Sequence, residues 1–105
     1  MRPLVRNLDV ASNEYSGPYP LNYRGGDATF FISISGTCNL TVEGTNSDIQ
    51  DPDVTATWFE LDDDLTGITA TTSVGLYAVP RAVRIKRNSV TSTPTVELQI
   101  SQADR

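Results

Sequence analysis

The chain has 105 residues, 38% of them apolar, and a formal net charge of −5 at neutral pH. That length suits one domain, able to bury roughly two-thirds of the surface its unfolded form exposes, and leaves no room for a second core. Histidine is absent and Cys38 is the one cysteine, which excludes an internal disulfide, a metal site with several thiolates and every Ser/His or Cys/His nucleophile pair. The chain is therefore expected to be no enzyme and to use no cofactor or metal. Carboxylate-only glycoside chemistry survives in principle, but a chain this short offers little room for a sugar cleft.

No apolar run approaches the ~20 residues of a membrane span, and the opening Met-Arg-Pro-Leu-Val-Arg lacks the apolar stretch of a signal peptide. The expectation is a soluble protein made in a cytoplasm, with no membrane partner.

In chain order, residues 1–27 are irregular. Pro3, Pro18 and Pro20 with Gly17, Gly25 and Gly26 interrupt helices and most strands. This reads as an extended N-terminal arm, yet one carrying Leu4, Val5, Leu8, Val10, Tyr15, Tyr19 and Tyr23, more apolar surface than a solvated tail carries. These residues are the first candidate contact set. The arm either adds a first strand to its own domain or lies on a neighbouring subunit.

From Ala28 a period of two begins. Phe30, Ile32 and Ile34 alternate with Phe31, Ser33 and Ser35, then Cys38, Leu40 and Val42 alternate with Asn39, Thr41 and Glu43. Gly36-Thr37 between them reads as the turn of a hairpin. Residues 44–53 are polar and turn-rich, and Val54, Ala56 and Trp58 resume the alternation, with Trp58 as a central core residue. Asp62-Asp63-Asp64 with Gly67 marks another turn, followed by short strands near 68–72 and 74–79. Val83 and Ile85 alternate with Arg84 and Lys86, residues 88–94 read as a loop, and Val96, Leu98 and Ile100 form a last strand. Thirteen threonines suit the solvated faces of strands.

Seven or eight short antiparallel strands without a helix predict an all-β fold, a single β-sandwich of jelly-roll or immunoglobulin-like type. The predicted organisation is an arm over residues 1–27 and a sandwich domain over 28–105.

Charge is segregated. Eight acids and no base lie between Glu43 and Asp64, while Arg81, Arg84, Lys86 and Arg87 form a short basic run without an acid. The clustered acids raise calcium as one reading, but no helix-loop-helix calcium pattern is present. Self-complementarity is another: an acidic edge of one copy, with Asp62, Asp63 and Asp64, meets the basic run of Arg81, Arg84, Lys86 and Arg87 of the next, setting register more than affinity, and these seven are the second candidate contact set. A third is that the two segments pair within one molecule. Nucleic acid is a poor partner, because the net charge repels a polyanion and no aromatic residue interleaves with the bases.

The run Thr29-Phe30-Phe31-Ile32-Ser33-Ile34-Ser35-Gly36-Thr37, then Leu40-Thr41-Val42-Glu43-Gly44-Thr45-Asn46, Trp58, Leu61, Val83-Arg84-Ile85 and Thr95-Val96-Glu97-Leu98-Gln99-Ile100 resembles small virion structural proteins of tailed bacteriophages. The resemblance covers most of residues 28–101, and departs at 48–57, where such proteins have a short turn. It implies a capsid decoration or cement protein on the virion surface, binding the major capsid protein as a homo-oligomer, with a trimer at a threefold position suiting the role. Two other roles are open: a receptor- or carbohydrate-binding module of a head or tail fibre, with Trp58 or the tyrosines as a stacking platform, and a head-to-tail connector component.

Overall fold

The computed structural model describes residues 4–22 and 27–102. They form β1 (Leu4–Leu8), β2 (Tyr15–Pro20), β3 (Ala28–Thr45), β4 (Phe59–Glu60), β5 (Thr72–Leu76) and β6 (Ala82–Gln102), with a single 3₁₀ turn at Asp63–Leu65. The protein is all-β, and every strand pairing is antiparallel.

Two long strands dominate. β3 has 18 residues and β6 has 21, and they pair along their whole lengths, from Ala28↔Gln102 to Thr45↔Ala82. The other four strands flank them. β1 and β5 border one half, beside the end of β6 and the start of β3. β2 and β4 border the other half. All six strands belong to one curled sheet, a half-barrel, in place of the many short strands that the alternation predicts.

The bends come from residues that read as chain breakers. Gly36 does not turn a hairpin: it lies within β3 at φ +111°. Ser35 pairs with Thr95 and Thr37 with Thr91, so residues 92–94 of β6 stand opposite Gly36 alone. A second irregularity follows, since Asn39 pairs with Ser89 but Leu40 with Arg87. Extra residues on one strand bend the ladder and raise its twist. Residues 88–94, predicted as a loop, are therefore the bulged middle of β6.

Gly36 is needed twice over at this corner. Its φ lies where L side chains are strained, and a Cβ there would stand 2.9 Å from the Cα and Cβ of the buried Pro94.

The curl encloses one core. The predicted alternation holds on β3 and β6: Phe30, Ile32, Cys38, Leu40 and Val42 meet Val83, Ile85, Val96, Leu98 and Ile100 inside, and Leu65 and Ile68 of the connecting segment close over them. Ile68 exchanges backbone hydrogen bonds with Leu40 at 2.6 and 2.9 Å, an isolated bridge where a strand was predicted. Cys38 is buried, and that burial pushes its thiol pKa up.

The N-terminal stretch is part of this sheet. β1 pairs with residues 96–100 and β2 with residues 82–86 of β6. Leu8 and Val10 are core residues of their own chain. Beyond β2, the Gln102 side-chain amide accepts from Asn22 N and donates to Asn22 O, both at 3.0 Å, tying the stretch to the end of β6.

Candidate functional site: the outer face of the curled sheet

Residues that alternate with the core point outward, and the two halves of the sheet present different chemistry there. Around β2, β4 and their neighbours the outer face is charged and internally bonded. Arg84 is its centre. The guanidinium lies 4.1 Å from the Tyr15 ring centroid and 4.4 Å from that of Trp58. Its Nε donates to Glu43 Oε1 at 2.8 Å.

A planar cation between two aromatic rings is favoured by both ring quadrupoles, more so when partly desolvated. The position also has an electrostatic reason: Glu43 stands directly opposite Glu60 in the β3–β4 register, and like charges opposite each other repel. Arg84, across from Glu43 on β6, offsets that repulsion.

Trp58 is thus not the predicted central core residue. It is half-buried on the outer face, where its ring finds a cation as well as apolar contact.

The rest of the basic run divides. Arg87 sits beside Leu40 at the irregular register, and its Nη1 donates to the carbonyls of Val10 and Ala11 at 3.0 and 3.2 Å. It is a strut holding the β1–β2 connection. Lys86 is half-buried between Tyr15 and Thr41, and Arg81 is exposed. The acidic and basic segments accordingly meet within one molecule at Glu43–Arg84.

The acidic segment is explained by turn chemistry. Asp48 Oδ1 accepts from Gln50 N at 3.0 Å, Asp51 Oδ1 from Asp53 N at 2.9 Å and Asp62 Oδ1 from Asp64 N at 2.9 Å. Short carboxylates that accept an amide two residues on stabilise tight turns. Asp62 caps the turn whose last residue, Leu65, is fully buried, while Asp63 and Asp64 are exposed in its first turn. Among the described residues no three acids converge as metal ligands would.

The other half has an outer face of hydroxyls, amides and two apolar side chains. Register places Val5, Gln99, Phe31 and Ser73 in one row across β1, β6, β3 and β5. Val5 is 44% and Phe31 43% exposed. A groove of about 430 Å³ lies beside Phe31, lined by Ser33, Thr71, Ser73, Glu97 and Gln99. Gln99 Nε2 donates to Glu97 Oε1 at 2.9 Å, so two of the polar lining groups satisfy each other.

The candidate arm residues scatter. Val5 is exposed in that row, Tyr15 is exposed over Arg84, and Leu4 and Tyr19 are half-buried against the core. Leu8 and Val10 are inside, and Tyr23 lies outside the described residues. Burial raises the Tyr19 pKa above its usual 10.0, partly opposed by the charge of Arg6. Sequence reasoning did not single out Phe31 as an exposed apolar side chain, although its position next to Phe30 in the alternation marks it as outward.

No family model, curated protein or solved structure matches this chain.

Proposed function

We propose that this chain is a non-enzymatic virion structural protein of the capsid decoration or cement type, which docks on major capsid subunits through the outer face that carries Val5 and Phe31. The sequence resemblance to small phage virion proteins supports the address. The observation that carries the docking surface is the row Val5–Gln99–Phe31–Ser73: two exposed apolar side chains on one face of four paired strands, with a groove beside Phe31. A surface of this kind binds through apolar anchors within a polar rim. Many weak copies on a repeating particle gain by multivalency, above all when each copy bridges two subunits.

We put the contact on the sheet and not on the arm because Leu8 and Val10 are buried in the core of their own chain. It also bears on the carbohydrate reading. Trp58 and Tyr15 each give one ring face to Arg84, which leaves less free aromatic surface for a sugar.

Copy number in the purified virion is the test. Hundreds of copies per particle are expected; a dozen or fewer would instead mark a connector or fibre component. Trp58 emission that responds to added oligosaccharide would favour the receptor-binding reading.

A further inference from the structure

Four strands form the edges of this sheet, and three of them are protected. β1 carries Arg6, whose Nη1 folds back to the Val5 carbonyl at 2.8 Å and occupies an edge acceptor. β2 contains Pro18 and Pro20, which have no N–H to offer, and an irregular register between Ser16 and Tyr19. β4 is two residues long and leads into Asp62-Asp63-Asp64. Charges, prolines, bulges and short length are the usual means of blocking an edge.

β5 has none of them. Its sequence, Thr-Ser-Val-Gly-Leu, has no charge and no proline, its register with β3 is regular from Ala28↔Leu76 to Ile32↔Thr72, and among the described residues it pairs with β3 alone.

We infer that β5 is a self-association edge, at which a second copy of this chain adds antiparallel around a twofold axis through Val74. The strand's own chemistry selects a copy of itself. With Val74 opposite Val74 of the second copy, Thr72 meets Leu76 and Ser73 meets Gly75, so no like charges face each other. Val74 and Leu76 are half-buried on the core side, and the second copy's identical pair extends that apolar layer. Ser73 and Gly75 are small and exposed on the outer side. One residue beyond the strand, Tyr77 is 89% exposed; the same register puts it opposite Thr71 of the second copy, where the ring gains a surface to cover.

The twofold joins the two outer faces side by side, each with its Phe31 groove next to the shared edge. It predicts a dimer as the building unit in place of a threefold trimer. It stands independently of docking on a particle, since it concerns this chain alone. Each copy carries −5, so the two repel at low salt and the dimer tightens as salt screens them.

Sedimentation equilibrium of the purified chain at concentrations up to ~1 mM tests this. The expected result is a monomer–dimer equilibrium with no trimer, tighter at 0.5 M than at 0.05 M salt by the screening argument. G75E should weaken it at least tenfold. A side chain at Gly75 meets nothing within 4 Å in the monomer, so the fold accepts the change, and circular dichroism confirms that it does. Y77S, outside the strand, should weaken the dimer by a smaller factor without altering the thermal midpoint of the dilute, monomeric chain. A chain that remains monomeric throughout, a trimer, or a dimer that folded G75E leaves intact would overturn the inference.

Discussion

The two halves of the sheet share the same pair of long strands, yet they use their outer faces in opposite ways. Around β2 and β4 the outward side chains bind one another: Tyr15 and Trp58 hold Arg84, and Glu43 is its counter-ion. Around β1 and β5 the polar side chains pair locally, as Gln99 does with Glu97, and Val5 and Phe31 remain partly exposed beside them. On the docking proposed above, the contact surface lies away from the densest charge. The charged half pairs its cation with two rings and a carboxylate, although Tyr15 and Phe59 there are as exposed as Val5 and Phe31; the plain, threonine- and serine-rich half leaves its exposed apolar side chains without such a partner.

The largest effect expected lies at the corner between the halves. Gly36→Ala should destabilise the chain by about 3 kcal/mol or more, because it combines a positive-φ penalty with a clash against the Pro94 backbone. Urea denaturation measures it, and a loss below ~0.5 kcal/mol would mean that the two halves are not held by this corner.

Within the charged half, Arg84→Ala should cost about 1–2 kcal/mol through the lost stacking and the uncompensated Glu43 opposite Glu60. Trp58 emission should move to longer wavelength. Arg84→Lys should recover part of the stability, since it keeps the charge but loses the planar stack. An unchanged spectrum in Arg84→Ala would show that the clasp does not hold Trp58.

Alkaline pH gives a smaller, graded effect. The folded chain raises the pKa of both Tyr19 and Cys38 by burial, which favours their neutral forms. Their contribution to stability is whole below the ordinary values of 9.0 for the thiol and 10.0 for the phenol, and is lost as pH rises through the raised folded values. The urea midpoint should fall above that range, and Tyr19→Phe should reduce the fall. A midpoint that rises with pH there would contradict the burial of both groups.

The smallest effect on stability belongs to the open half. Replacing Val5 and Phe31 together by threonine puts a β-branched strand former at both positions and should change stability by less than about 1 kcal/mol.

Much of this was legible in the alternation. Phe30 to Ile34, Cys38 to Val42, Val83 to Ile85 and Val96 to Ile100 face the core as their period of two predicts. The corners were not, because Gly36, Asn88 and Pro94 carry the same local signal whether they end a strand or bulge it. Only the partner strand's register separates the two outcomes. A first strand from the arm was one of the two readings open, as β1 bears out, but β2 was hidden by Gly17, Pro18 and Pro20, which an edge strand tolerates where a central one does not. Trp58 was misplaced for a different reason: its size argues for the core, while its actual partner, Arg84, is 26 positions away along the chain and adjacent only once β3 and β6 have paired.

The most direct test of the docking account is the occupancy of the virion by two variants compared with wild type, with folding checked for each. Val5→Thr combined with Phe31→Thr should remain folded and lose the particle, whereas Arg84→Ala, though less stable, should bind at near wild-type occupancy. Full occupancy by the folded Val5/Phe31 variant would contradict the account.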